Sequence, residues 1–122
     1  MRAGIYYPWH NIPSYSLFDQ AVSIPYWATT AKLTFYEHSI SLNVEPDGDT
    51  QYLQVLDLMG NWLGTLFVQN YWYPDGLWVY HEYDLSMFKG MAVKLQFGVS
   101  NDGWYGVTSM FVDDASLIVC PP

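Results

Sequence analysis

Basic residues are nearly missing from this chain of 122 residues. Arg2, Lys32, Lys89 and Lys94 stand against twelve aspartates and glutamates, for a net charge of −8. Nucleic-acid binding rests on clustered lysine and arginine, and four dispersed bases form no such cluster. The same deficit disfavours an anionic membrane surface. Cysteine is scarce as well: Cys120 stands alone, which excludes an internal disulfide and a cysteine-ligated zinc. No apolar run approaches ~18 residues and no signal-like leader opens the chain, so membrane insertion is not expected. Helical periodicity over twelve or more residues is absent too. Charged residues make up only 13%, against about 25% in an ordinary domain.

Catalytic motifs are also lacking. His10, His38 and His81 are scattered, without the HExxH spacing that would put two imidazoles on one metal. No nucleophile elbow surrounds a serine. Glycoside cleavage needs two carboxylates about 5–10 Å apart across a cleft. Glu37, Glu82 and Asp84 fall on strand-like segments, but nothing in their spacing singles them out. Glu37 falls near a core face, where it would need a partner such as a tyrosine or a backbone group. Glu45, Asp47 and Asp49 surround Gly48 without completing a calcium loop, and read as a solvated turn. An enzyme is not expected.

What the chain has is ring area: aromatics reach 19%, with eleven tyrosines and six tryptophans. So much apolar surface with so little charge supports a folded domain. Short β-rich runs separated by turn signals predict strands at Gly4–Tyr7, Ser16–Ile24, Ala31–Leu42, Thr50–Leu58, Trp62–Gln69, Leu77–Asp84, Met91–Val99 and Val107–Val119. Val93, Leu95, Phe97 and Val99 should face inward, as should Ala31, Leu33 and Phe35. Met59-Gly60-Asn61 suits a hairpin turn, and Asp84–Gly90 a short helical turn between strands. The pattern predicts one all-β domain over residues 1–122, with 119–122 reading as the start of a linker or tail.

Four segments, in order, make the pattern more specific: "VSIPYWATTAKLTFYEHSIS", "YLQVLDLMGNWLGTLF", "WVYHEYDLSMFKGMAVKLQFGVSNDG" and "SMFVDDASLIVC". Together they cover about four-fifths of the chain, from Ser23 to Cys120. They resemble jelly-roll modules of secreted bacterial proteins, related to the MAM-like, galactose-binding-like and carbohydrate-binding-module-like sandwiches. The resemblance implies a two-sheet antiparallel jelly-roll sandwich, an extracellular or cell-surface location and a carbohydrate or adhesive role. It also implies that the usual first strand is lacking, because Met1–Gly4 already looks like the second element of such a module. Asp113 and Asp114 fall where these modules often help hold a structural calcium, although no cofactor is required. Trp78 falls at the modules' core tryptophan.

The remaining aromatics sit in or beside turns. Trp72 and Tyr73, with Tyr71 before them, adjoin Pro74-Asp75-Gly76; Trp104 and Tyr105 follow Asn101-Asp102-Gly103; Trp9 lies in "YYPWHNIP". Sugars present apolar C–H faces that stack on rings, while carboxylates and amides bond their hydroxyls. Trp72, Tyr73, Trp104 and Tyr105, then Tyr71 and Trp9, are therefore the candidate platform for a polysaccharide or cell-surface glycan. Aromatics with low charge also mark protein interfaces. The alternative is thus a self-assembling structural subunit, a homo-oligomer or filament, packed through these rings and an open sheet edge.

Overall fold

A computed structural model describes residues 2–4, 13–41, 49–69, 77–102 and 108–122. Eight strands follow one another: β1 (Arg2–Gly4), β2 (Pro13–Ser23), β3 (Thr30–Ser41), β4 (Thr50–Asp57), β5 (Trp62–Gln69), β6 (Trp78–Asp84), β7 (Ala92–Asp102) and β8 (Thr108–Cys120). They form two four-stranded sheets, ordered β1-β8-β3-β6 and β2-β7-β4-β5, with every neighbouring pair antiparallel. First pairs with last, second with seventh, third with sixth and fourth with fifth. That nesting is the jelly roll.

The alternation expected from sequence builds the core. Ala31, Leu33 and Phe35 of β3 meet Leu53 and Val55 of β4 and Val93, Leu95, Phe97 and Val99 of β7. Phe35 stands edge-on to Phe97 at 5.1 Å and 89°, a favoured geometry for two rings. The β5 strand departs from alternation because it carries two bulges. Leu66 and Leu63 are each an extra residue relative to β4, and both pack against the core, as Phe67 does. On the outer face of the second sheet, the Tyr52 ring lies across Gly98, its cross-strand partner. A Cβ at that glycine would sit 2.2 Å from the ring.

Two turns are fixed by carboxylates. Asp57 Oδ1 accepts the backbone N–H of Met59 and Asn61 at 2.9 and 2.8 Å, and Oδ2 accepts the Asn61 amide at 2.9 Å. Gly60 takes φ +90° in this hairpin, as a residue without Cβ can. Asp84 Oδ1 accepts the N–H and hydroxyl of Ser86, opening the 3-10 turn Ser86–Phe88 before β7.

Among the described residues β1 pairs with β8 at Ser109, Met110 and Phe111. The thirteen residues of β8 continue well past it. Beyond that contact β8 bulges: Asp114 and Ala115 together oppose Phe35, between the pairs Thr34–Ser116 and Tyr36–Asp113. Asp114 takes φ +53°, which aspartate tolerates better than most residues.

Candidate functional site

The candidates Trp9, Tyr71, Trp72, Tyr73, Trp104 and Tyr105 lie outside the described residues. The described residues that flank their segments converge. Gln69 pairs with Gln51 beside Val99, Pro13 with Asp102, Ser41 with Thr108, and Trp78 with His38. All these pairs sit at one end of the sandwich.

The outer face of the first sheet carries exposed rings next to that end. Trp78 is 54% exposed, Tyr80 51% and Tyr36 42%. This corrects the expectation that Trp78 is core. Along β6 the alternation puts Val79, His81 and Tyr83 inward, so Trp78 falls on the opposite face with Tyr80 and Glu82. Cross-strand register arranges the rings in two rows. Tyr36 stands opposite Tyr80 at 5.3 Å, and His38 opposite Trp78 at 5.1 Å. Phe111 extends the second row at 6.0 Å from His38.

Asp113 lies opposite Tyr36, continuing the first row across the sheet. Asp113, Asp114, Tyr36 and Trp78 line an open groove of about 370 Å³. Both aspartates are exposed, and Asp113 Oδ1 accepts the Asp114 N–H at 2.9 Å. Among the described residues no third metal-binding side chain joins them. The groove therefore pairs ring faces with carboxylates. Further along the same face, Lys32 bridges Glu82 at 2.5 Å. Hydrogen bonding and charge from Lys32 hold the Glu82 carboxyl below its ordinary range, and the partner raises Lys32.

Two other tryptophans are exposed away from this face. Trp27 is 48% exposed on the turn after β2, and Trp62 is 63% exposed, its indole N–H donating to Thr65 Oγ1 at 3.0 Å.

Sequence reasoning missed a buried polar cluster beneath the same end. Glu37 is fully buried, and its partners are side chains rather than a backbone group. Its Oε1 accepts the Ser39 hydroxyl and the Gln69 amide (3.0 Å), and its Oε2 faces His81 Nε2 at 3.3 Å. Gln51 Oε1 accepts the Gln69 amide at 2.6 Å and lies 2.5 Å from Ser39 Oγ, while Gln51 Nε2 donates to the Ser109 carbonyl at 3.0 Å. Asp49, expected in a solvated turn, is also buried; its Oδ2 accepts the Thr108 hydroxyl at 2.9 Å. The His81 ring, on β6, stacks on Phe35 at 4.9 Å and Phe67 at 5.2 Å, with Nδ1 3.2 Å from the Tyr83 hydroxyl. The signal available was polar residues at inward positions: Glu37 and Ser39 share the parity of Leu33 and Phe35. A carboxylate and a histidine in contact could move a proton, but this pair lies under two phenylalanines and outside the groove.

No family model matches the chain. Part of it is similar to Immune inhibitor A from Bacillus thuringiensis subsp. alesti, 44% identical over 45 residues. That stretch is 37% of this chain and 7% of the relative's length. Among the described residues no helix is long and apolar enough to cross a membrane.

Proposed function

We propose that the chain is a non-catalytic extracellular module that binds a polysaccharide or cell-surface glycan. The exposed ring rows on the outer face of the first sheet carry this reading. Trp78 and Tyr36 stand in one groove with Asp113 and Asp114, so stacking faces and hydroxyl acceptors occur together. Successive rows on one sheet face are spaced about 7 Å along the strands and about 5 Å across them, a scale that suits neighbouring sugar rings. The resemblance to jelly-roll modules of secreted bacterial proteins supports the location, as does the partial likeness to Immune inhibitor A.

Pull-down on insoluble polysaccharides and a glycan array test the reading. The unmodified chain should bind at least one glycan, with quenching of tryptophan fluorescence. Trp78→Ala should abolish binding without changing the fold. A Trp72→Ala/Trp104→Ala double variant separates the face from the loops. If it alone loses binding while Trp78→Ala binds normally, the face is not the platform. Absence of binding across a broad panel refutes the glycan reading.

A further inference from the structure

At the other end of the sandwich the chain turns three times, at 24–29 between β2 and β3, at 58–61 between β4 and β5, and at 85–91 between β6 and β7. The register brings these turns together. Ser23 pairs with Ala92 and Asp57 with Val93, and the Gly90 N–H donates to the Ile24 carbonyl at 2.7 Å. The three most exposed large apolar side chains among the described residues stand one on each turn: Tyr26 at 83%, Met59 at 89% and Met87 at 72%. Trp27, Leu58 and Trp62 are exposed beside them. A monomer rarely presents so much apolar surface in one place without a partner for it.

The basic residues, dispersed along the sequence, are not dispersed in space. Lys89 stands on the third turn, Lys32 lies opposite Asp84 and Lys94 opposite Leu56, the last two each two residues inside a strand. Three of the four bases therefore share this end with three of the twelve acids, which leaves it neutral in a chain of net charge −8. Those acids are engaged: Glu82 bridges Lys32, Asp57 holds the hairpin turn and Asp84 holds the 3-10 turn. Among the described residues no carboxylate bridges Lys89 or Lys94.

We propose that this end docks on the surface of an anionic lipid bilayer, with Tyr26, Met59 and Met87 immersed and the lysines at the phosphates. The layering of the end carries the inference. Apolar tips come first, and Lys32 and Lys94 follow about 7 Å behind, where a long stem lies along apolar surface while its ammonium reaches the head groups. Trp27 and Trp62 are amphipathic rings that suit the head-group level. Immersion of about 5–10 Å is the depth of an interfacial element, so nothing spans the bilayer. A protein partner fits less well, because protein contacts are poor in lysine and favour arginine. This end has three lysines, and the single arginine, Arg2, pairs with Phe111 at the far end. The acidity of the rest of the chain is screened. Asp19, the next carboxylate along the described strands, is four residues from the end of β2, about 14 Å, against a Debye length of about 8 Å at physiological salt.

Vesicles of phosphatidylcholine, with and without phosphatidylglycerol, test the proposal by co-sedimentation with the 122-residue chain. The chain should bind the mixed vesicles, more weakly as salt rises, and brominated lipid should quench its tryptophan fluorescence. Met59→Ser/Met87→Ser should weaken binding about tenfold or more, and both side chains are exposed, so the core is untouched. Lys89→Gln and Lys94→Gln should each weaken it about fivefold. Trp78→Ala should leave it unchanged, which separates this end from the glycan face. Absence of binding to the mixed vesicles, or binding indifferent to Met59→Ser/Met87→Ser, overturns the proposal. Equal binding to both kinds of vesicle overturns the assignment to an anionic surface. Self-association that Met59→Ser/Met87→Ser abolishes, without vesicle binding, would identify a second copy as the occupant and overturn it too.

Discussion

Truncating Glu37 to alanine should be among the most damaging single changes in this chain. The carboxylate is fully buried and touches Ser39, Gln69 and His81. Two of these partners have a fallback, since Gln51 Oε1 lies 2.5 Å from Ser39 Oγ and 2.6 Å from Gln69 Nε2. His81 loses its carboxylate, and the removed atoms leave a void between the sheets. A buried polar group left without its partner costs about 1–3 kcal/mol, and the void left by a removed side chain adds to that. The fallback contacts limit the first contribution, so about 3 kcal/mol in all is the expectation. For a domain of this size that lowers the thermal midpoint by about 10–20 °C. Urea unfolding followed by tryptophan fluorescence measures the loss. Glu37→Gln keeps the volume and an acceptor oxygen, so it should cost clearly less. If Glu37→Ala lies within about 1 kcal/mol of the parent, the cluster does not hold the sheets together as argued.

Four further outcomes are expected. Phe35→Ala removes the ring between Phe97 and His81 and should cost about 3–5 kcal/mol by the same assay. The Ser109 hydroxyl is buried with no partner among the described residues, so Ser109→Ala should be neutral or stabilising by up to about 1 kcal/mol. Asp57 and Asp84 have carboxyls held below their ordinary 3.8, Asp57 first by the Asn61 side chain and Asp84 first by the Ser86 hydroxyl. A depressed folded-state pKa adds stability above the unfolded value that is lost as pH falls through the folded one. The Asp57→Asn/Asp84→Asn double variant should therefore lose stability near neutrality and show a flatter decline below about pH 4. Gly98→Val should displace the Tyr52 ring, seen as a changed near-ultraviolet circular dichroism signal with a lower midpoint.

The alternation of Ala31, Leu33 and Phe35, and of Val93 through Val99, was legible because a strand's period of two sorts apolar side chains without help from the rest of the fold. The hairpin turn at Met59-Gly60-Asn61 was legible for an equally local reason. Trp78 was misplaced because a lone ring has no sidedness in sequence; its face is set by the parity of β6 against β3, which pairing decides. The groove joining Trp78 to Asp113 and Asp114 brings residues from both sides of β3, and no local pattern connects them. Glu37, Gln51, Gln69 and His81 come from four different strands. The parity of β3 placed Glu37 near the core, and only the convergence of the four shows that its burial is satisfied.

The nested order of the strands also bears on how the chain reaches this state. Among the paired strands only β4 and β5 are consecutive in the chain; each outer pair encloses all the pairs within it, and β1 with β8 spans nearly the whole sequence. Loop closure becomes more demanding with separation, though slowly, and non-local pairing slows folding to about the millisecond-to-second range. The β4–β5 hairpin is the natural nucleus, with β3–β6, β2–β7 and β1–β8 closing around it in turn. The last zone to form is then the flank where β8 meets only three residues of β1. Until β1 closes on it, β8 presents unpaired backbone groups, and misassembly during synthesis should begin there.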